Sequence, residues 1–300
     1  MLGKTHALSG AMMFGVLAVP AAPVAHLSLP ELALGTVVCA GAAMLPDIDH
    51  RESHVARTLG PLSRGLACAV AWVAGGHRRG VHSLVGVAVV ALLAFLGAAL
   101  RSGSTSWAVA GIALAAVLAG SGLLAGMAWP GDRRRGRRVY PERWHGPAAA
   151  GVFGVVALAL AVGAAVDPHA TGTGVLAVLL VLTLASAARV FHIRRWTRLR
   201  TEVDDLLPIP VTFVLLVGDT NLRVVPFAVV LGVIVHIAGD MATVGGCPLG
   251  WPWSLTARGP RAFRTNSPIE RGPVTWACMV IFAVTVFWNS GIANAITRHG

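Results

Sequence analysis

Long apolar stretches alternate with short polar connections along most of this chain. Several stretches approach or exceed the roughly 18–20 apolar residues that a helix needs to cross a bilayer. The predicted spans are about 7–25, 29–45, 81–100, 107–128, 148–166, 174–190, 206–217, 224–238 and 274–289. The stretch 62–74 is apolar but short and glycine-rich, so we expect it to be interfacial or re-entrant. The pattern predicts an all-α fold, a polytopic membrane helical bundle of about nine spans plus that segment.

The composition supports a membrane protein, and no nucleic-acid partner is needed to explain the positive net charge. Apolar residues make up 55% of the chain and charged residues only 12%, against about 25% charged in soluble domains. The net charge of +11 is carried mostly by arginine, which collects in the cytoplasmic loops of membrane proteins. The four cysteines form no CxxC pair, so neither a zinc ribbon nor a disulfide framework is indicated. No cleavable signal peptide is evident at the start of the chain.

Two arginine-rich loops predict the orientation of the bundle. One covers 133–143 and the other 194–200, and two predicted spans separate them, so both loops lie on the same side. The positive-inside rule makes that side cytoplasmic. Counting spans in both directions places the acidic and histidine motifs described below on the same face. We therefore expect a bacterial-type cytoplasmic (inner) membrane protein with one polar site at its cytoplasmic face.

The most informative polar motif follows the second apolar stretch and reads Leu45-Pro46-Asp47-Ile48-Asp49-His50. It contains two carboxylates and an imidazole within four residues, although the whole chain has only 13 acidic residues. Carboxylate oxygens and imidazole nitrogens are ligands for divalent cations. On an extended turn, Asp47 and Asp49 would both face one centre while Ile48 points away. The alternative is a helix end with solvated polar residues.

Two further motifs place histidines at the ends of apolar segments. His77 and His82 bracket a glycine before the third span, and Ser83 is a candidate cap for the helix that follows. The alternative there is a basic turn among lipid headgroups. His236 and Asp240 are four residues apart, so they share one face of a helix. An ionisable pair in such an apolar segment favours a functional site, although a plain helix-terminal ion pair is the alternative.

Taken in order, these motifs resemble those of a known family. They are similar to the LexA-binding, inner-membrane-associated metal-dependent hydrolases, the YdjM-like family, over about 5–92 and 232–283. His6 corresponds to the first histidine of that family and Glu270-Arg271 to a late Glu-Arg. Arg79 and Val81 depart from the family's glycine and threonine. The resemblance divides the chain into 1–100, an inserted set of spans over 101–205, and 206–300, which completes the site.

The family resemblance implies a membrane-embedded hydrolase with a divalent metal, most simply zinc. It is distantly similar to the zinc-dependent phospholipase C and P1 nuclease group, which implies a phosphoester substrate; a site at headgroup depth suggests a lipid one. The expected metal ligands are His6, Asp47, Asp49, His50, His77, His82, His236 and Asp240. Asp49, Arg78 and Ser83 are the candidate catalytic residues, with Asp49 as general base and Arg78 as a phosphate contact.

Two other classes of function remain for comparison. The first is a non-catalytic membrane protein in which a metal holds helices together and the basic loops bind a regulatory protein. The second is a transporter, because intramembrane His and Asp residues also form ion pathways. A transporter should place polar residues along the depth of its spans, whereas here they gather at one end. This distribution argues against transport.

Overall fold

The computed structural model describes residues 1–128, 146–191, 206–218 and 220–289, and every regular element in these ranges is helical. Ten helices longer than one or two turns follow one another along the chain. They are α1 (Gly3–Ala25), α2 (Leu29–Ala42), α3 (Pro61–Ala74), α4 (Leu84–Ser102), α5 (Thr105–Ala128), α6 (Gly146–Val166), α7 (Pro168–Phe191), α8 (Pro208–Val217), α9 (Val224–Ala242) and α10 (Thr275–Asn289). The predicted all-α helical bundle is therefore confirmed.

Seven helical segments in the described ranges are long and apolar enough to cross a membrane. They contain α1, α2, α4, α5, α7, α9 and α10. Two of the nine predicted spans are not among these seven. One is 148–166, where Gly154–Val166 counts as a shorter apolar helix, and the other is 206–217, where α8 has 10 residues against the roughly 20 that a span requires. The helix α3, with 14 residues, was predicted not to span. The predicted number of about nine spans is thus not confirmed. The arginine-rich loops 133–143 and 194–200 lie outside the described residues.

The centre of the bundle is formed by α2, α7 and α9, whose side chains are mostly buried, whereas α5 and α10 lie at its periphery. Glycine allows two helices to approach the end of α2 closely. A Cβ atom at Gly232 of α9 would lie 2.6 Å from Cβ of Ala42, and one at Gly10 of α1 would lie 2.9 Å from Cβ of Ala43. Small residues at such positions let the backbones of membrane helices pack together.

We expect a Gly232→Ile substitution to lower the unfolding temperature in detergent. Its side chain would overlap the backbone of α2, because a Cβ atom at this position lies only 2.8 Å from the backbone nitrogen of Ala43. Overpacking of this kind costs about 1–3 kcal/mol. Gly174→Ile is the matched control, since nothing lies within 4 Å of a Cβ atom at that exposed position of α7. Equal unfolding temperatures for the two variants would contradict the close contact between α2 and α9.

One end of the bundle brings the polar motifs together. Helix α1 begins there, α2 and α9 end there, and α4 starts there after two short 3-10 helices, Leu45–Asp49 and Gly80–His82. The Ser83 hydroxyl accepts a hydrogen bond from the backbone N–H of Gly86 at the start of α4, so the predicted cap is confirmed. The segment after α9 folds back over this end, with isolated bridges pairing Thr243 with Phe263 and Cys247 with Arg258.

Candidate metal centre

The first cluster of potential ligands joins the start of α1 to the end of α9. It consists of His6, His236 and Asp240, which are all buried and each offer a ligand atom within 4.8 Å of the others. The imidazole of His6 stacks on that of His236 with ring centroids 3.8 Å apart. Its Nε2 atom lies 3.3 Å from Oδ1 of Asp240. Residues separated by more than 200 positions in the sequence thus share one buried polar cluster.

A second cluster lies beside the first and comes from the two 3-10 helices and the turn that precedes the second of them. Asp47, His77 and His82 also offer ligand atoms within 4.8 Å of one another. His82 is fully buried, whereas the side chain of His77 is 38% exposed. The two clusters meet where Nε2 of His82 lies 3.1 Å from Nε2 of His236. Together they form one site with an open side near His77.

Four donor atoms at this junction lie close enough together to share one metal ion. They are Nε2 of His82, Nε2 of His236, Oδ1 of Asp47 and Oδ2 of Asp240. Five of the six distances among them lie between 3.1 and 3.8 Å. A tetrahedral zinc ion with ligands at about 2.0–2.1 Å requires donor separations of about 3.3–3.4 Å. The donor set and its dimensions therefore fit a zinc ion at their centre.

The other ring nitrogens of the central histidines face outer partners. Nδ1 of His236 donates to the carbonyl oxygen of Ala43, 2.7 Å away. The carboxylate of Asp49 lies 2.7 Å from Nδ1 of His77 and 3.4 Å from Nδ1 of His82. Metal-binding histidines almost always have such a partner on their second nitrogen, which fixes the tautomer and the ring orientation. The arrangement directs the Nε2 atoms of His82 and His236 to the centre.

The geometry around Asp49 corrects the extended turn expected from the sequence. Residues Leu45–Asp49 form a 3-10 helix, in which three residues complete one turn. Side chains two positions apart in such a helix point in different directions. Accordingly, Asp47 faces Nε2 of His82 and of His236, while Asp49 faces His77 and the backbone N–H of Arg78, which donates to Oδ2 over 3.0 Å.

Two predicted site residues lie beside the clusters and belong to neither of them. His50 is exposed, its ring lies 4.9 Å from that of His77, and its Nδ1 accepts from the backbone N–H of Glu52. The hydroxyl of Ser83 is buried, donates to the carbonyl of Gly80 and accepts from the backbone N–H of Gly86 in α4. The catalytic role expected for Ser83 remains a prediction, and its hydroxyl is engaged in these backbone contacts.

Cationic groups surround Asp240 on the side that faces the covering segment. The guanidinium of Arg78 lies 3.2 Å from Oδ2 of Asp240, and the amino group of Met1 contacts Oδ1. The Arg78 side chain is 29% exposed, so it borders the opening of the site. The sequence motif indicated Arg78, but it gave no signal for the contact with Met1.

Glu270 supports the start of α1 and was only weakly indicated by the sequence. Its side chain is fully buried. One carboxylate oxygen accepts from the backbone N–H of Leu2, and the other accepts from that of Asn266 at 2.6 Å. The resemblance suggested a late Glu-Arg pair, and the structure joins the acidic member to the segment that carries His6. Arg271 instead donates to the side chain of Asn266.

The electrostatics of the site favour a cation at its centre. Burial opposes a charge on His82, but hydrogen bonds to Asp47 and Asp49 outweigh this effect and raise the pKa of His82 to about 9. Within the described part of the chain, both ring nitrogens of His6 and Oδ2 of Asp240 are buried without a hydrogen-bond partner. Buried polar atoms are normally satisfied. A metal ion at the junction of the clusters would satisfy Oδ2 of Asp240, and one held by the first cluster would satisfy one ring nitrogen of His6.

Exposed apolar side chains on two neighbouring elements indicate the depth of the site in the membrane. On α3, which packs against both 3-10 segments, Leu62, Leu66 and Trp72 are exposed while Ala67 is buried. On the covering segment Trp253 is exposed and suited to an interface anchor, whereas Trp251 is buried. The surfaces next to the site are therefore apolar enough to lie at the membrane interface.

Comparison with known proteins identifies one family. The sequence model of the family described as YdjM inner membrane protein matches residues 1–196. The matched region includes most of the predicted insertion and ends before α9, which carries His236 and Asp240. Neither the curated proteins nor the solved structures contain a match to this chain.

Proposed function

This chain belongs to the family of YdjM inner membrane proteins, and we propose that it is a membrane-embedded, metal-dependent hydrolase. The observation that carries this proposal is the closely spaced set of two imidazole nitrogens and two carboxylate oxygens at one end of the bundle. Two histidines with carboxylate oxygens are a ligand type found in catalytic zinc sites. The open side near His77 gives a substrate access to such an ion.

His82, His236, Asp47 and Asp240 are the proposed ligands of the central zinc ion. His6 joins His236 and Asp240, and His77 joins Asp47 and His82, in two groups of three potential ligands. The site therefore has enough donors for a second ion. Asp49 is assigned a supporting role, because its oxygens contact the Nδ1 atoms of His77 and His82 and the backbone of Arg78. We therefore replace the general-base role expected for Asp49 with the orientation of these two imidazoles.

A zinc ion held here would act as a Lewis acid. Because four protein donors would already fill a tetrahedral zinc site, a water would bind as a fifth ligand on the open side, and the ion would lower its pKa toward about 7. Arg78 borders the same space and carries planar N–H donors that match two phosphate oxygens. We propose that its guanidinium turns from Asp240 to the phosphoryl group of the substrate. The choice of a phosphoester rests on the distant similarity to the phospholipase C and P1 nuclease group.

A lipid phosphoester of the inner leaflet is the proposed substrate class. The exposed apolar side chains of α3 and Trp253 support a position among the lipid headgroups. The arginine-rich loops support a cytoplasmic orientation for this end of the bundle. Reporter fusions in either loop would test the orientation independently of activity, and a loop found outside the cell would move the site to the outer leaflet.

Metal analysis combined with an activity panel tests the proposed function. Protein purified in detergent is expected to contain about one or two zinc ions per chain. After loading, it is expected to hydrolyse at least one member of a panel of phospholipid, nucleotide and prenyl-phosphate esters. Protein that binds no divalent metal at this site would contradict the proposal.

The second candidate is a non-catalytic protein in which the metal joins α1, α9 and the 3-10 segments. The exposed, arginine-containing segment that covers the site, with Arg261 and Arg264 as examples, favours a regulatory protein partner such as LexA. Metal-loaded protein that hydrolyses nothing across the panel would favour this structural role. Arg79 and Val81 would then be the first positions to restore to the family's glycine and threonine.

A further inference from the structure

A second feature of the bundle lies toward the end opposite the metal centre. A partly open cavity of about 550 Å³ runs between α1, α4, α5 and α9, which is within the size range of roughly 300–1,000 Å³ typical of small-ligand sites. Its lining includes Leu17, Ala21 and Leu114. Among the described residues that line it, Arg223 is the only charged one.

The inner wall of this groove is aromatic and rigid. The rings of Phe95, Trp107 and Phe227 pack with centroids between 5.2 and 5.7 Å apart. Phe95 is buried, while Phe227 is 55% exposed toward the outside of the bundle. An elongated apolar ligand entering from the bilayer would therefore contact a preformed surface.

The groove has the length of one membrane leaflet. Along α9 its lining extends from Arg223 to Ile234, which is about 16 Å at a rise of about 1.5 Å per residue. Half of a bilayer's apolar core of roughly 30 Å is about 15 Å. The orientation given by the arginine-rich loops places Arg223 at the outer surface of the membrane. A chain lying in this groove would thus span the outer leaflet with its head beside Arg223.

The position of Arg223 is fixed by the protein and leaves part of its guanidinium available. Its Nε donates to Oε1 of the buried Glu31 at 2.7 Å, and Nη2 donates to Glu31 and to the carbonyl of His26. The guanidinium has five N–H donors, so those on Nη1 remain after these contacts. The side chain is 37% exposed. A phosphate at the headgroup level is the complementary partner.

We propose that this groove binds one acyl chain of an anionic glycerophospholipid of the outer leaflet, with the phosphate on Arg223. The site is separate from the metal centre and does not depend on catalysis. An anionic lipid is expected to be favoured over a zwitterionic one of the same chains by at most about fivefold, the effect of one arginine near a membrane surface, because Glu31 offsets part of the charge of Arg223.

Native mass spectrometry in detergent tests this inference with phosphatidylglycerol and phosphatidylcholine of matched chains. Wild-type protein should retain the anionic lipid preferentially. Arg223→Gln should lose the preference, and Arg223→Lys, which keeps the charge, should retain it. Ala21→Trp fills the groove and should reduce retention of both lipids. Ala116→Trp is its control, because Ala116 is exposed on α5 two residues from Leu114 and therefore on the opposite face.

Three results would overturn the proposal. The first is equal retention of the two lipids by wild-type protein. The second is equal lipid retention by Ala21→Trp and Ala116→Trp. This comparison leaves Arg223 unchanged, so it tests the proposal even if Arg223→Gln fails to fold. The third is a dimer that Ala21→Trp disrupts, since this would identify a second copy of the chain as the occupant.

Discussion

Asp240→Asn is expected to remove the metal from the protein and to abolish hydrolysis. Oδ2 of Asp240 lies 3.7 Å from Nε2 of His82 and 3.8 Å from Nε2 of His236, where a shared ion would bind. Asparagine keeps the size of the side chain but removes the negative charge. The loss should exceed the roughly 10–100-fold effect of removing an outer partner of a metal ligand. Metal content and phosphoester turnover are the measurements.

The same variant offers a readout that does not require the substrate. A metal that binds the folded state stabilises it, so adding a chelator should lower the unfolding temperature of wild-type protein. Asp240→Asn should show no such response. Glu52→Gln is the charge control, because Glu52 is an exposed residue that pairs with Arg57 near the site and surface pairs contribute little. Wild-type metal content in Asp240→Asn would exclude Asp240 as a ligand.

Asp49→Asn is expected to give a different result, with the metal still bound but more weakly. Asp49 contacts the Nδ1 atoms of His77 and His82, so its loss should disturb the orientation of the imidazoles without removing a proposed central donor. The expected weakening is about 10–100-fold, measured by competition with chelators of graded affinity. Asp49→Asn and Asp240→Asn with equally complete metal loss would show that Asp49 binds the metal directly.

The fold class followed from the sequence because the bilayer limits the choice of structure. A chain with long apolar stretches must satisfy its backbone hydrogen bonds internally, and helices do so within each segment. The stretch 62–74 is predicted to be interfacial or re-entrant because it is short and glycine-rich, and α3, which covers it, is too short to span the membrane. The number of spans did not follow from the sequence in the same way, because the length of a short apolar segment such as α8 does not determine whether it crosses the membrane.

The residues of the candidate site were also visible in the sequence, because polar side chains are costly in apolar surroundings. His236 and Asp240 were placed on one helix face by their spacing, and α9 keeps them there. Glu270 and Gly232 act through distant partners, Leu2 and the end of α2. Such long-range contacts leave no pattern in the neighbouring sequence, so the sequence alone assigned no defined role to either residue.

A helical membrane bundle with polar residues gathered at one of its ends is predictable from the chain alone, because apolar length and the scarcity of charge are local properties. How Asp47 and Asp49 divide their tasks depends instead on the packing of distant segments. The 3-10 helix over Leu45–Asp49 turns one carboxylate toward His236 and the other toward His77. The direction of each carboxylate depends on how α3, α7 and α9 pack against the segment, because a spacing of two residues in the sequence permits either arrangement.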